Sequence, residues 1–176
     1  MTERRAKTQQ ALDLIARYDD PRKLEIMQRN ALAEGNEEVA HAAKLKLFSV
    51  KPSAENGTLE HDVWQSIYAL EHELKIERGK TVLLSRTRQK IARDGEVQTI
   101  ADLVRKPPSE GFQMLVERNM PQLSFEAVAL RHPYKFDDDI LSAADRRLRE
   151  YGYDPALLIL ARAPDRTPMK GDELPS

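Results

Sequence analysis

The fold is decided by one stretch of sequence, LEHDVWQSIYALEHELKIERGKTVLLSRTRQKIARDGEVQTIADLVR, which runs from Leu59 to Arg105. Its first part carries apolar residues at positions i, i+4, i+7 and i+11: Val63, Ile67, Leu70 and Leu74. Residues at that spacing share one face of an α-helix, so the pattern predicts a long amphipathic helix. Thr58 can cap its start, and Gly79 marks its end.

The composition favours the same fold class. Of 176 residues, 40% are apolar and 32% charged, while only seven are glycine. Alternating β-branched residues are scarce, which argues against a sheet. The sequence therefore predicts an all-α protein, long enough to bury a proper core. The absence of cysteine excludes disulfides, thiol catalysis and thiolate metal sites.

Targeting signals are not expected from the amino-terminal residues, MTERRAK, because they are charged and no apolar run follows them. No stretch approaches the roughly 20 apolar residues that a membrane-spanning helix needs. We therefore expect a soluble cytoplasmic protein that does not bind a membrane.

The amino-terminal third predicts a helical hairpin. Asp20 followed by Pro21 is a typical helix start, with an N-cap residue and then proline at the first helical position. Gly35 is placed to end that helix, and Asn36 to cap the next one.

Four segments follow from these boundaries. Residues 1–50 are predicted to form an amino-terminal helical arm, and residues 51–58 have the composition of a linker. Residues 59–162 are predicted to form the main helical domain, on which the arm docks unless it swaps onto a partner chain. The polar, proline-bearing residues 163–176 are expected to be disordered.

The clearest candidate site is a basic stretch between Lys75 and Asp94. Its seven cations and two acids give a net charge of +5, so in a chain of net charge −1 the remaining residues carry −6. Four polar residues fall at i, i+3, i+4 and i+7 on one helical face: Arg86, Gln89, Lys90 and Arg93. Cations so arranged can contact phosphates, and a carboxamide among them can reach a base edge.

We therefore predict a nucleic-acid site made of Lys80, Arg86, Arg88, Gln89, Lys90 and Arg93. The cations would contact phosphate, and Gln89 would contact a base edge. The alternative is a solvated face whose arginines pair with acids such as Glu71, Glu73 or the aspartates 137–139. The Asp94-Gly95 turn also suggests a helix-turn-helix, although the helix after it is not basic until Arg105.

Other candidates have plainer interpretations. His61 and His72 lie eleven residues apart, about 16 Å along a helix, so they cannot share a metal ion and are interpreted as surface histidines. His132 is interpreted as a helix-end residue. Trp64 and Tyr68 are expected to widen the core seam, with base stacking as the alternative.

No catalytic residue, metal or cofactor is predicted. The seven glycines form neither GxGxxG nor GxxxxGK, and Ser-His-acid catalysis has no local signature.

The segment from Leu84 to Glu96 carries the motif SRTRQKI-x-x-x-GE, and TIADL follows at residues 99–103. With Glu110-Gly-Phe112 and Leu115, these residues resemble a group of bacterial proteins that has no established activity. The hairpin around residues 29–40 looks like short helical extensions that accompany some small bacterial nuclease domains. The tripeptides of a GIY-YIG nuclease are missing here, so the resemblance implies only a setting near DNA metabolism.

The function predicted from these features is that of a non-catalytic accessory protein that binds DNA, duplex more than single strand, through the basic helix. The alternative is an adaptor or homodimer in which the apolar stripe of residues 63–74 or the amino-terminal hairpin pairs with another chain. A nuclease-like enzyme with dispersed site residues is the third possibility.

Overall fold

The computed structural model describes residues 2–160, so the tail predicted at 163–176 lies outside the described residues. Within that range the chain is all-α and has no strand, as the sequence predicts. Two short 3-10 turns, Pro121–Leu123 and Pro133–Lys135, separate the later helices. The α-helices are α1 Thr2–Arg17, α2 Pro21–Ala33, α3 Glu37–Val50, α4 Leu59–Arg78, α5 Ser85–Arg105, α6 Glu110–Glu117, α7 Phe125–Arg131, α8 Asp138–Glu150 and α9 Pro155–Leu160.

The predicted caps set the boundaries of α2, α3 and α4. Asp20 accepts a hydrogen bond from the Arg22 amide at 2.9 Å, and Asn36 accepts one from the Val39 amide at 3.2 Å. At the start of α4, Thr58 accepts a hydrogen bond from the His61 amide at 3.2 Å. Each side chain satisfies an amide that the first helical turn leaves without a carbonyl partner.

The two helices predicted on either side of Asp94-Gly95 meet at a single kinked residue within α5. Gly95 has φ +82° and ψ +169°, a conformation that residues with a side chain rarely adopt. The sequence predicts that the first of these helices begins at Val82, but it begins three residues later, at Ser85. A one-residue kink also departs from the three- or four-residue turn of a helix-turn-helix.

Helix α4 is the central element of the fold. Its predicted stripe is internal, with Val63 and Ile67 fully buried and Leu70 only 7% exposed. A second, adjacent stripe is buried as well: Asp62, Ser66, Ala69 and Glu73. Because α4 contacts α3, α5, α6 and α7, its apolar stripe is used within the chain. Val63 and Ile67 therefore have no exposed surface with which to pair with another chain.

The three amino-terminal helices have a small core of their own. Helix α3 packs against both α1 and α2, and the apolar residues between them include Ile15, Leu24, Val39, Ala43 and Leu47. Phe48, at the end of α3, instead joins the cluster of α4 residues Ala69 and Leu70. The amino-terminal helices thus dock on the rest of the chain through α3.

Candidate nucleic-acid interface

The basic stretch lies at the corner where α4 ends and α5 begins. Gly79 adopts the left-handed conformation (φ +66°) that commonly ends a helix, and residues 80–84 then cross to α5. The Leu84 amide donates to Glu71 Oε1 of α4 at 2.9 Å. Glu71 therefore fixes the start of α5 against α4.

Arg88 is held by the same carboxylate. Its Nε and Nη2 donate to the two oxygens of Glu71, each at 2.7 Å. These hydrogen bonds raise the pKa of Arg88 above its usual value. The guanidinium also lies over the rings of Trp64 and Tyr68, at 5.0 and 5.8 Å from their centres. Arg88 thus joins α5 to α4, and its charge is compensated within the chain.

Lys90 and Arg93 also have acidic partners. Lys90 Nζ lies 2.8 Å from Asp94 and 2.5 Å from Asp102, on the two sides of the Gly95 kink. Arg93 donates twice to Asp94, at 2.7 and 2.9 Å. The hydrogen bonds from Arg93 hold the pKa of Asp94 well below its usual range, and the hydrogen bond from Lys90 lowers it further.

These pairs reduce the charge that the stretch presents to solvent. The window from Lys75 to Asp94 has a net charge of +5, but Glu71 and Asp102 lie beside it in space, and counting them leaves +3. Three of the predicted phosphate contacts, Arg88, Lys90 and Arg93, are thus ion-paired. Glu71, the partner of Arg88, is among the acids that the alternative interpretation names as partners for the arginines of this face.

Four cations at this corner are exposed, and none forms an ion pair with any residue between 2 and 160. We call this set the basic corner: Lys75, Arg78, Lys80 and Arg86. The sequence predicts Lys80 and Arg86 as site residues, whereas Lys75 and Arg78 enter only the net charge of the basic stretch. Their position beside Gly79, where the chain reverses toward Arg86, is the signal that could have found them. Gln89 is exposed one turn beyond Arg86.

Trp64 and Tyr68 are half-buried beside the corner. Their ring centres lie 6.1 Å apart, and Arg88 covers both rings. Trp64 also packs against the cluster that contains Val63 and Ile67. For Trp64 this contact agrees with the expected core seam.

The interpretation of His61 as a surface histidine is wrong. His61 is only 3% exposed, and its Nε2 donates to the Ser49 carbonyl at 2.8 Å. A tertiary contact with the end of α3 buries it, and the local pattern of α4 does not show that contact. His132 does lie at a helix end, but it too is buried, 3% exposed.

Both histidines belong to a buried polar group that we call the Asp62 cluster: His61, Asp62, Arg131 and His132. His132 Nε2 lies 2.8 Å from Asp62 Oδ2, and Arg131 Nε donates to the same oxygen at 3.2 Å. Arg131 Nη1 also donates to the Gln122 carbonyl at 2.7 Å. The cluster ties α4 to α7, and because its members are buried it differs from an open site that admits a ligand.

His72 is also not a surface histidine. It is half-buried, with its ring edge-on to Phe48 at 5.2 Å between ring centres. Its Nε2 is buried and has no hydrogen-bond partner in the described part of the chain. Burial lowers the pKa of His72 below 6.5, outweighing the neighbouring Glu73, which raises it.

This lowered pKa predicts that acid destabilises the fold. Because folded His72 binds a proton more weakly than unfolded His72, the free energy of unfolding should fall as the pH drops below about 6.5 and level off below the folded-state pKa. Urea titrations from about pH 8 to pH 5 measure this dependence. His72→Phe should flatten it, and adding His41→Gln should flatten it further, since burial also lowers the pKa of His41. Equal pH dependence in wild type and both variants would contradict the assignment.

Among residues 2–160, no group of three or more His, Asp or Glu side chains is arranged to hold a metal ion. None of the helices in that range combines the length and apolar character needed to cross a membrane.

Comparison of the chain with protein-family models, with curated proteins and with solved structures finds no match. The resemblance noted from the sequence therefore gains no support from them.

Proposed function

We propose that this protein binds nucleic acid, duplex DNA in preference to single strands, through the basic corner. The observation that carries the proposal is the group of four exposed, unpaired cations at one turn of an otherwise acidic chain. Between Lys75 and Arg86 the sequence contains one acidic residue, Glu77. A local positive surface of this kind attracts the phosphate backbone even when the whole chain is nearly neutral.

The ion-paired residues contribute rigidity to this surface. The hydrogen bonds from Leu84 and Arg88 to Glu71 hold the start of α5, and with it Arg86, in a fixed position relative to α4. Because the backbone that carries Arg86 is already fixed, binding does not have to order it, and less conformational freedom is lost. In this proposal the corner cations contact phosphates, and Gln89, three residues after Arg86, meets a base edge.

The proposal predicts a defined dependence on salt. Four phosphate contacts give a slope of about −3.6 for log K against log salt concentration with duplex DNA. Lys80→Glu with Arg86→Glu removes two contacts and adds repulsion, so the slope should fall to about half and the affinity should drop steeply at low salt. Fluorescence anisotropy with labelled duplex, single-stranded DNA and RNA, at about 50 and 200 mM salt, measures both quantities.

The matched control is Arg146→Glu with Arg149→Glu, two exposed cations on α8. Either double variant changes the net charge from −1 to −5, so a general charge effect would weaken binding equally in both. Equal losses, or no binding by the unchanged protein at the lower salt, would refute a specific corner. Stronger binding to RNA or to single strands would keep the corner but overturn the preference for duplex DNA.

A second candidate function is binding to an acidic protein partner at the same corner. The observation that favours it is the exposure of two aliphatic side chains among the cations, Ile76 at 58% and Leu83 at 56%. Aliphatic residues surrounded by cations suit an acidic segment with apolar residues of its own. This candidate is preferred if the anisotropy titrations show no binding to any of the three nucleic acids.

A further inference from the structure

A cavity of about 280 Å³ lies between α1 and α2, away from the short connection that joins them. The two helices both pack on α3 and make few contacts with each other. Each gives the cavity one helical face, at positions i, i+3, i+4 and i+7. The lining residues of these faces are Arg4, Lys7, Thr8 and Ala11 on α1, and Met27, Asn30, Ala31 and Glu34 on α2 and its cap.

The base of this cavity is closed by the start of α3. Asn36, the N-cap of α3, donates from Nδ2 to Thr8 Oγ1 at 2.9 Å, and Val39 lies beside it. Ala11 on α1 and Ala31 on α2 both line the cavity, and their small side chains leave space that larger residues would fill. A concave, partly polar surface with an apolar floor is a candidate site for a small molecule.

The lining separates into an apolar and a positive part. Ala11, Met27, Ala31 and Val39 are apolar, and two of them, Ala31 and Val39, are only 5% exposed. On α1 the cations Arg4 and Lys7 are exposed, and Arg4 forms no ion pair with any described residue. Lys7 pairs with Glu3 at 2.9 Å on the surface, a contact that solvent weakens and that a ligand can replace.

We propose that this cavity, the α1–α2 pocket, binds a small organic carboxylate with an apolar body. The carboxylate pairs with Arg4 and Lys7, and the apolar body lies on Ala11, Ala31 and Met27. Glu34 lines the pocket from α2 and disfavours a second negative charge, so a monoanion fits better than a phosphate dianion. The volume lies just under the range of about 300–1,000 Å³ typical of small-molecule sites, which favours a small ligand.

This site is separate from the basic corner. Its residues lie on α1, α2 and the start of α3, whereas the corner lies between α4 and α5. The pocket can therefore bind its ligand whether or not the chain binds nucleic acid.

The test is a titration of the full-length protein with sodium octanoate, followed by ¹H–¹³C spectra of the methyl groups. Octanoate should shift the methyl signals of Ala11, Met27, Ala31 and Val39 with saturation, while octanol should bind more weakly and inorganic phosphate should leave them unchanged. Arg4→Ala should weaken octanoate binding by about tenfold or more, since it removes a charge-assisted hydrogen bond. Arg5→Ala is the matched control, because Arg5 does not line the pocket.

A second variant, Ala11→Leu, fills the space and should abolish the saturable shifts. Circular dichroism checks that each variant keeps its helices. The proposal is overturned if octanoate gives no saturable shifts, if the shifts spread over other methyl groups, or if Arg4→Ala and Arg5→Ala bind equally well.

Discussion

Replacing Asp62 with alanine should lower the free energy of unfolding by about 3–5 kcal/mol. Asp62 is 3% exposed, and its Oδ2 meets both Arg131 and His132, whose side chains are 8% and 4% exposed. The substitution removes the carboxylate that neutralises the buried Arg131 guanidinium. Water does not reach this region and cannot replace the lost charge, so the folded state is destabilised. Urea denaturation followed by circular dichroism measures the change.

The matched control is Asp145→Ala. Asp145 pairs with Arg149 at 2.8 Å, but both side chains are exposed, 40% and 59%, so the loss should stay under about 1 kcal/mol. Asp62→Asn keeps the volume and removes the charge, and should recover only part of the loss. If Asp62→Ala costs no more than Asp145→Ala, the Asp62 cluster does not stabilise the fold.

Phe48→Ala should lower the free energy of unfolding by about 3–5 kcal/mol, the range for truncating a fully buried aromatic side chain. Phe48 is 0% exposed and packs with α4 residues Ala69 and Leu70 and with Leu115 of α6. Its removal leaves a cavity where the amino-terminal helices dock on α4. Thermal and urea denaturation would show the loss, and separate transitions for the two parts would show that docking had weakened.

Ile26→Ala is the control for this prediction, because Ile26 is 47% exposed on α2 and its truncation should change stability by about 0.5 kcal/mol. A loss of under about 1 kcal/mol for Phe48→Ala would mean that the α3–α4 interface does not depend on this side chain.

Much of the fold could be predicted because its signals are local. The caps at Asp20, Asn36 and Thr58 act within three residues, and the stripe of α4 repeats over three turns. Such patterns are readable without knowing what packs where. The kink at Gly95 belongs to the same group, since glycine tolerates the positive φ found there.

The candidate site was less predictable because its contacts are distant in sequence. Glu71 reaches Arg88 across 17 residues, and Asp62 reaches His132 across 70. Charge patterns in α5 alone do not show that Arg88 faces an acid of the preceding helix. The buried Asp62, Ser66, Ala69 and Glu73 also left only a weak signal, since polar residues on a helix usually face solvent.

The separation of Asp62 from Arg131 and His132 has a consequence for synthesis on the ribosome. Helices α1 to α3 make most of their contacts within the first 50 residues, and such local contacts form on the microsecond to millisecond scale. At about 5–20 residues per second, the 69 residues from Val63 to Arg131 take about 3–14 s to translate. The amino-terminal helices can therefore fold before Arg131 and His132 have been synthesised. During those seconds the Asp62 carboxylate lacks these two contacts, which bury it in the final structure.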